Sequence, residues 1–309
     1  MNTRQMKYFS KVFEMENMTK AAAALHIAQP ALTQQIQLLE ESLGVILFTR
    51  STRGAKPTSE GTRLYKHVQT ILRQIDNTKA VLGRMEHQVS GTVAIAMPSS
   101  TAKMLALPLI KEVKKLYPSI ILEIVDMPSA ILTKQVLQGR VDFSLTPDQE
   151  QIQGMIRKPF LLEDLLLLIH PEIAIKKARP EIEDIQSLPL ILPSLPNKLR
   201  SRIDHEFLLK RIPYDLMGEA STSAILVPAV KAGIAATILP YSAAHEEIQN
   251  KEIQMKRFNF PFVREIYLCY NSSALLHEAI ECVMTVCMQV AKDLIDKKIW
   301  KYTKLLSDS

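Results

Sequence analysis

The chain has 309 residues, 47% of them hydrophobic, with 38 Lys and Arg against 32 Asp and Glu. That length and apolar content support two or three domains with real cores and exclude a chain too small to build one. The basic excess is local: residues 1–90 carry 12 Lys and Arg against 7 Asp and Glu, the other 219 residues 26 against 25. Cys269, Cys282 and Cys287 form no C-x-x-C pair, and their odd number argues against a disulfide framework. The N-terminus shows no apolar signal region, and the most apolar long stretch, Ala224 to Pro240, is broken by Pro228, Lys231 and Gly233. A cytoplasmic protein without membrane association is expected.

The stretch Met18 to Leu39, MTKAAAALHIAQPALTQQIQLL, reads as two short helices joined by a tight turn. Thr19 is the expected N-cap of the first, which four alanines favour and which stops near His26 and Ile27. Pro30 suits the first turn of the second. There Leu32, Ile36, Leu39 and Leu43 make one apolar face, while Ala31, Thr33, Gln34 and Gln37 lie off it. Glutamine can pair with adenine and a threonine methyl can touch a thymine methyl, and the first acids come only at Glu40 and Glu41. This is the pattern of a helix-turn-helix, whose second helix enters the major groove. Any of these pieces alone also describes an ordinary core helix with a solvated face.

A basic hairpin follows from Leu47 to Thr58, with a turn near Arg53-Gly54. Arg50, Arg53 and Lys56 put three positive charges in seven residues without an acid, so this wing suits phosphates or a minor groove. Candidate DNA-binding residues are therefore Thr19, Gln29, Pro30, Thr33, Gln34, Gln37, Arg50, Arg53 and Lys56.

From Leu64 the apolar positions Val68, Ile71, Ile75, then Thr78, Leu82, Met85 and Val89 repeat at steps of three and four. A helix over about 58–88 would run about 45 Å and carry an a/d seam with one polar member. So long a seam is expected to pair with the same helix of a second copy.

Around Ser90-Gly91 the pattern changes to alternating strands and helices. Expected strands are Val93–Met97, Ile120–Val125, Val141–Leu145, Leu165–Ile169, Leu190–Leu192, Ala235–Leu239 and Arg264–Tyr270. Helices are expected up to Leu116, at 130–138, 197–210, Ser223–Lys231 and Ala274–Ile295, with Pro108 starting or kinking a turn. The tail from Lys297 to Ser309 reads as solvent-exposed. In open α/β sheets ligands bind beyond the carboxyl ends of strands, near helix N-termini. Ser99, Ser100, Thr101, Thr146, Ser194 and Thr222 stand there as candidate effector-binding residues for a small anion, although plain helix capping explains most such hydroxyls. Arg200 and Arg202 could pair with a carboxylate, but surface charge is the simpler account.

Three pieces, AAAALHIAQPALTQQI (21–36), LEESLGVILFTR (39–50) and RGAKPTSEG (53–61), with their spacing, resemble the LysR-type transcriptional regulators. Thr33 stands where that family usually has serine. HIAQPALTQQI and the RG-x-x-PT-x-x-G ending are most similar to its nitrogen assimilation control branch. VKAGIAATILP (230–240) resembles the family's V-x-x-G-x-G-x-x-x-LP pattern, with Ala235 in place of the second glycine.

The resemblance implies an α/β protein with an N-terminal winged helix-turn-helix (1–58, the motif at about 18–37), a linker and dimerisation helix (59–89) and a C-terminal sensor similar to periplasmic binding proteins (90–296). The sensor's subdomains would be about 91–161 with 265–296, and about 162–264, followed by the 297–309 tail. The implied function is a sequence-specific regulator, mostly an activator in this family. Its partners would be double-stranded DNA, further copies of itself as a dimer or tetramer, RNA polymerase and a small-molecule effector. No cofactor, metal or catalytic residue is expected: H-E-x-x-H, G-x-S-x-G, the P-loop and G-x-G-x-x-G are absent, and the seven histidines have no metal-ligand spacing. A small-molecule binding protein without selective DNA binding is the alternative.

Overall fold

Helix α1 (Thr3–Met15) opens on a capping box. The Asn2 side chain accepts the Gln5 backbone N–H at 2.9 Å, and the Gln5 side chain accepts that of Asn2 at 3.1 Å. The computed structural model describes residues 1–51, 54–82, 89–147, 150–273 and 276–306, and divides into two units: Met1–His87 with Leu137–Arg140, and Gln88–Val136 with Val141–Ser309.

In the first unit α1 is followed by α2 (Met18–Ala24), α3 (Gln29–Leu43), the antiparallel strands β1 (Phe48–Ser51) and β2 (Gly54–Pro57), and α4 (Ser59–Leu82). The cap of α2 is Asn17, whose side chain accepts the Lys20 N–H at 3.0 Å. Thr19, expected there, is the second residue of the helix. Asn is as good a cap as Thr, and Asn17 comes first along the chain. The turn to α3 passes through His26 in the left-handed region, φ 55°. Phe9, Val12, Leu32, Ile36 and Leu39 are sealed from solvent, each contributing about 1.5–3 kcal/mol of burial. Leu43, read as the end of that face, is exposed, because α3 has passed the core by then and ends at Gly44.

The hairpin is held against the turn between α1 and α2. The Ala55 N–H donates to the Glu16 carbonyl at 2.8 Å, and a Cβ added at Gly54 (φ +138°) would stand 2.4 Å from that oxygen. Only glycine fits this approach.

The seam of α4 is used differently from the expectation. Val68 is fully buried inside its own unit, Leu64 and Ile71 pack on the same core, and Tyr65 stacks on Phe13 with ring centroids 3.9 Å apart. The first two turns of the seam therefore serve the winged domain, since α4 lies along α1. Thr78 and Leu82 fall where side chains are not described, and Met85 lies outside the described residues.

The second unit contains β3 (Gly91–Met97), α5 (Ser99–Leu116), β4 (Ile120–Asp126), α6 (Ser129–Leu137), β5 (Phe143–Thr146), β6 (Met155–Ile169), β7 (Pro189–Pro193) and α7 (Lys198–Lys210). Then come β8 (Asp215–Ala220), α8 (Ser223–Lys231), β9 (Thr237–Pro240), α9 (His245–Gln249), β10 (Gln254–Arg257), β11 (Val263–Asn271), α10 (Glu278–Asp296) and β12 (Thr303–Leu305). One sheet runs β4-β3-β5-β11-β6, with β3 parallel to β4 and β5 and β11 antiparallel to its neighbours. The same β6 continues into a second sheet. Met155–Asp164 pairs with β11, and Leu165–Ile169 pairs with β9 and β10. The parallel pair β7-β8 joins that sheet through Leu190 and Ala236.

Several expected elements change. α5 runs unbroken through Pro108. β6 is fifteen residues long where only its last five were expected, and β8, α9, β10 and β12 were not expected at all. Ala235, in the family's glycine position, is buried and needs no positive φ, whereas Gly233 has φ +71°. The tail is not solvent-exposed as a whole. Trp300 is 1% exposed, its indole N–H donates to Glu163 Oε1 at 2.9 Å, and β12 pairs antiparallel with β6. An indole buries a large apolar area and needs a partner for its N–H, and the core supplies both.

Candidate functional site

Of the candidate DNA-binding residues, Gln29 and Pro30 form the exposed first turn of α3, with Gln34 and Gln37 exposed along the same helix. Thr33 is half-buried between them, and its Oγ1 is shielded without a partner among the described residues. The cap residue Ala28 gives no side-chain hydrogen bond and no acid stands in the first turn. The N-terminal N–H groups of α3 are thus open to an anion. Thr19 is exposed on α2. In the wing, alternation buries Phe48 and Ala55 and exposes Thr49 and Lys56, which face each other across the strands. The Arg50 backbone pairs with Ala55. The Arg50 side chain and the whole of Arg53 lie outside the described residues.

The second unit has a cleft where the N-termini of α5 and α8 meet. A cavity of about 50 Å³ is lined by Ser99, Ser100, Ser221, Thr222, Ser223 and Arg264, among others, and an adjoining one of about 290 Å³ by Glu150, Lys198, Arg202, Arg264 and Glu265. Ser99 Oγ donates to Asp126 Oδ1 at 2.7 Å, and Ser100 Oγ accepts from Arg264 Nη2 at 3.0 Å. Thr222 precedes α8 without capping it by its side chain.

The other candidates do not join this lining. Thr101 is fully buried one step further along α5, its hydroxyl without a partner among the described residues. Thr146 is buried and bonded to Ser144 Oγ at 2.7 Å, because β5 lies inside the sheet. Ser194 donates its backbone N–H to the Ala220 carbonyl at 3.0 Å. Arg200 is buried and committed to Asp204, at 2.7 Å, and to Glu219, so it braces α7 on β8. Arg202 lines the larger cavity. Beside it the Lys198 ammonium, bonded to Glu150, holds that carboxyl below the usual range. Glu265 accepts from the Tyr267 hydroxyl and raises its pKa.

Arg264 was not among the candidates. It falls in step with buried Ile266 and Leu268 on β11, so a charge on the apolar face of an alternating strand was the available signal. Among the described residues no cluster of His, Cys, Asp and Glu could hold a metal ion, and no helix is long and apolar enough to cross a membrane.

Residues 3–62 match the model of bacterial regulatory helix-turn-helix proteins of the lysR family, and residues 86–292 match the LysR substrate binding domain. The chain belongs to the LysR family of transcriptional regulators. It is 30% identical over 304 residues to the nitrogen assimilation regulatory protein nac of Escherichia coli, covering 97% of this chain and 99% of that one. It is 29% identical to the regulator BbuR of Bordetella bronchiseptica, covering 80% and 77%. A full-length OxyR variant from Pseudomonas aeruginosa shares the fold with a TM-score of 0.72 at 20% identity over 94% of this chain and 95% of that one. Full-length CbnR complexed with its target DNA does so with a TM-score of 0.68 at 21% identity over 94% and 99%. Like other LysR regulators, the protein joins a DNA-binding helix-turn-helix domain to an effector-binding domain.

Proposed function

We propose that this regulator binds operator DNA as a homo-oligomer, places α3 of each copy in a major groove, and changes its grip when a small effector occupies the cleft between the N-termini of α5 and α8. Gln29, Pro30, Gln34 and Gln37 meet base edges, joined by Thr33 where its methyl reaches a base. Thr19, Arg50, Arg53 and Lys56 hold the flanking backbone. The observation that carries this is the surface of α3, with four exposed polar or proline positions before its first acid and an open N-terminus. The part of the α4 seam beyond the winged domain pairs with a second copy, and two-fold symmetry then asks for a partly palindromic site. The winged domain spans 1–58, the linker helix 59–89 and the sensor 90–296.

Ser99, Ser100 and Thr222 contact the effector, while Thr101, Thr146 and Ser194 support the surrounding elements. The protein acts in the cytoplasm as an activator that engages RNA polymerase, and it catalyses no reaction. A gel-shift titration on the intergenic region beside its own gene tests the central part. Affinity falls steeply with salt, as phosphate neutralisation requires, and Gln34→Ala weakens the specific complex while the fold persists. Equal affinity for that region and for unrelated duplex would overturn it.

A further inference from the structure

Arg264 is only 8% exposed and only partly satisfied. Its Nε donates to Glu163 Oε2 at 2.7 Å, and its Nη2 donates to the same oxygen and to Ser100 Oγ. Its Nη1 has no partner among the described residues, and the side chain lines both cavities of the cleft. A buried guanidinium gains most when its remaining edge meets an oxyanion. The N-termini of α5 and α8 open on the same space, and their N–H groups and dipoles favour negative charge there. Pro147 and Leu199, shared by the two cavities, add an apolar wall.

The far side of Glu163 leads elsewhere. Its Oε1 accepts from Ser242 Oγ at 2.7 Å and from the Trp300 indole at 2.9 Å. Trp300 is the chain's single tryptophan. The carboxylate that steadies Arg264 therefore touches the chain's one indole, whose emission can be read apart from that of the tyrosines by excitation near the red edge of the absorption band.

We propose that Arg264 is the anion receptor of the cleft and that the effector is a small organic carboxylate, held by the free guanidinium edge and the two helix N-termini. This rests on the cleft being the effector site. Nothing in the lining besides Arg264 offers a buried cation to a carboxylate. Arg202 is only partly buried and Lys198 is exposed and already paired with Glu150.

The test reads Trp300 emission from the full-length protein while acetate, lactate, succinate and benzoate are added separately, with their amides and inorganic sulfate as comparisons. At least one carboxylate shifts the emission saturably and its amide does not. The paired substitution Arg264→Gln with Glu163→Gln removes both buried charges, keeps an acceptor for Trp300, and weakens that carboxylate about tenfold or more. Should the pair not fold by circular dichroism, Arg264→Lys keeps the charge against Glu163 but lacks the second edge, and weakens the carboxylate likewise. Three results overturn the proposal: unchanged carboxylate affinity in the folded variants, sulfate binding in place of any carboxylate, or no response to any carboxylate. A neutral compound that shifts Trp300 equally in wild type and variants overturns the anion receptor yet leaves the effector cleft standing. Loss of DNA binding by the wild-type protein is a separate failure, that of the regulator itself.

Discussion

The Glu40 carboxylate, on α3, accepts the backbone N–H of Leu47 at 2.8 Å and that of Phe48 at 3.2 Å. The first acid of α3 is thus turned back toward the wing and fixes where β1 begins. Removing it leaves two N–H groups beside the core unmatched. Glu40→Ala should lower the stability of the winged domain by about 1–3 kcal/mol, as loss of hydrogen bonds to a charged acceptor does. Glu40→Gln, which keeps an acceptor oxygen, should lose less. Urea denaturation of the full-length protein distinguishes them, and equal stability of all three forms would contradict this role.

The tail makes a second claim. Deleting residues 297–309 removes the fully buried Trp300, the β12 pairing and one donor to Glu163. Thermal unfolding of the truncated protein should show a destabilised sensor unit. Trp300→Ala alone should cost about 3–5 kcal/mol. Trp300→Phe should cost less, because Ser242 still donates to the same oxygen. A truncation with the melting behaviour of the full chain would show that the tail is an appendage.

Histidine supplies a pH dependence. Burial pushes the His277 pKa below its ordinary 6.5, opposed by the nearby Asp142. In the folded state the imidazolium is disfavoured, so unfolding takes up a proton. Its contribution is fully present above pH about 6.5 and is lost as pH falls through the lower folded value. His277→Gln should flatten the decline in melting temperature over that acidic window. An unchanged slope would assign the decline to other groups.

Cysteine accessibility provides a fourth check. Burial pushes the Cys287 thiol up to about 12, and Cys269 is also buried, whereas Cys282 is partly exposed. The thiolate is the reactive form. Iodoacetamide at neutral pH should label Cys282 in the native protein and reach Cys287 only after denaturation, as read by mass spectrometry.

How much was legible in the sequence varies with how local the causes are. The helix-turn-helix was readable because the Leu32, Ile36 and Leu39 spacing and the short turn are local signals. The cap was misplaced by two residues because Asn17 and Thr19 both suit that role. β8 and β10 are short, partly exposed strands without apolar alternation, and the first half of β6 contains Arg157, Lys158 and Pro159. Cross-strand bonding to distant partners, not their own pattern, makes them strands. Trp300 sits among lysines, so nothing nearby announces that it is buried. In the cleft, serine and threonine at strand ends were visible, but only tertiary contacts separate Ser100 from Thr101. Arg264 needed the strand's alternation taken literally.

The most direct test of the whole account is nuclease footprinting of the full-length protein on the intergenic DNA beside its gene. Gln34→Ala and Gln37→Ala are compared with Lys56→Ala. A protected, partly palindromic site is the expected result. The glutamine variants should each lose about 1–3 kcal/mol at particular base positions. Lys56→Ala should weaken all sequences alike and reduce the salt slope by about one. Uniform protection of any duplex, unchanged by either glutamine substitution, would contradict it.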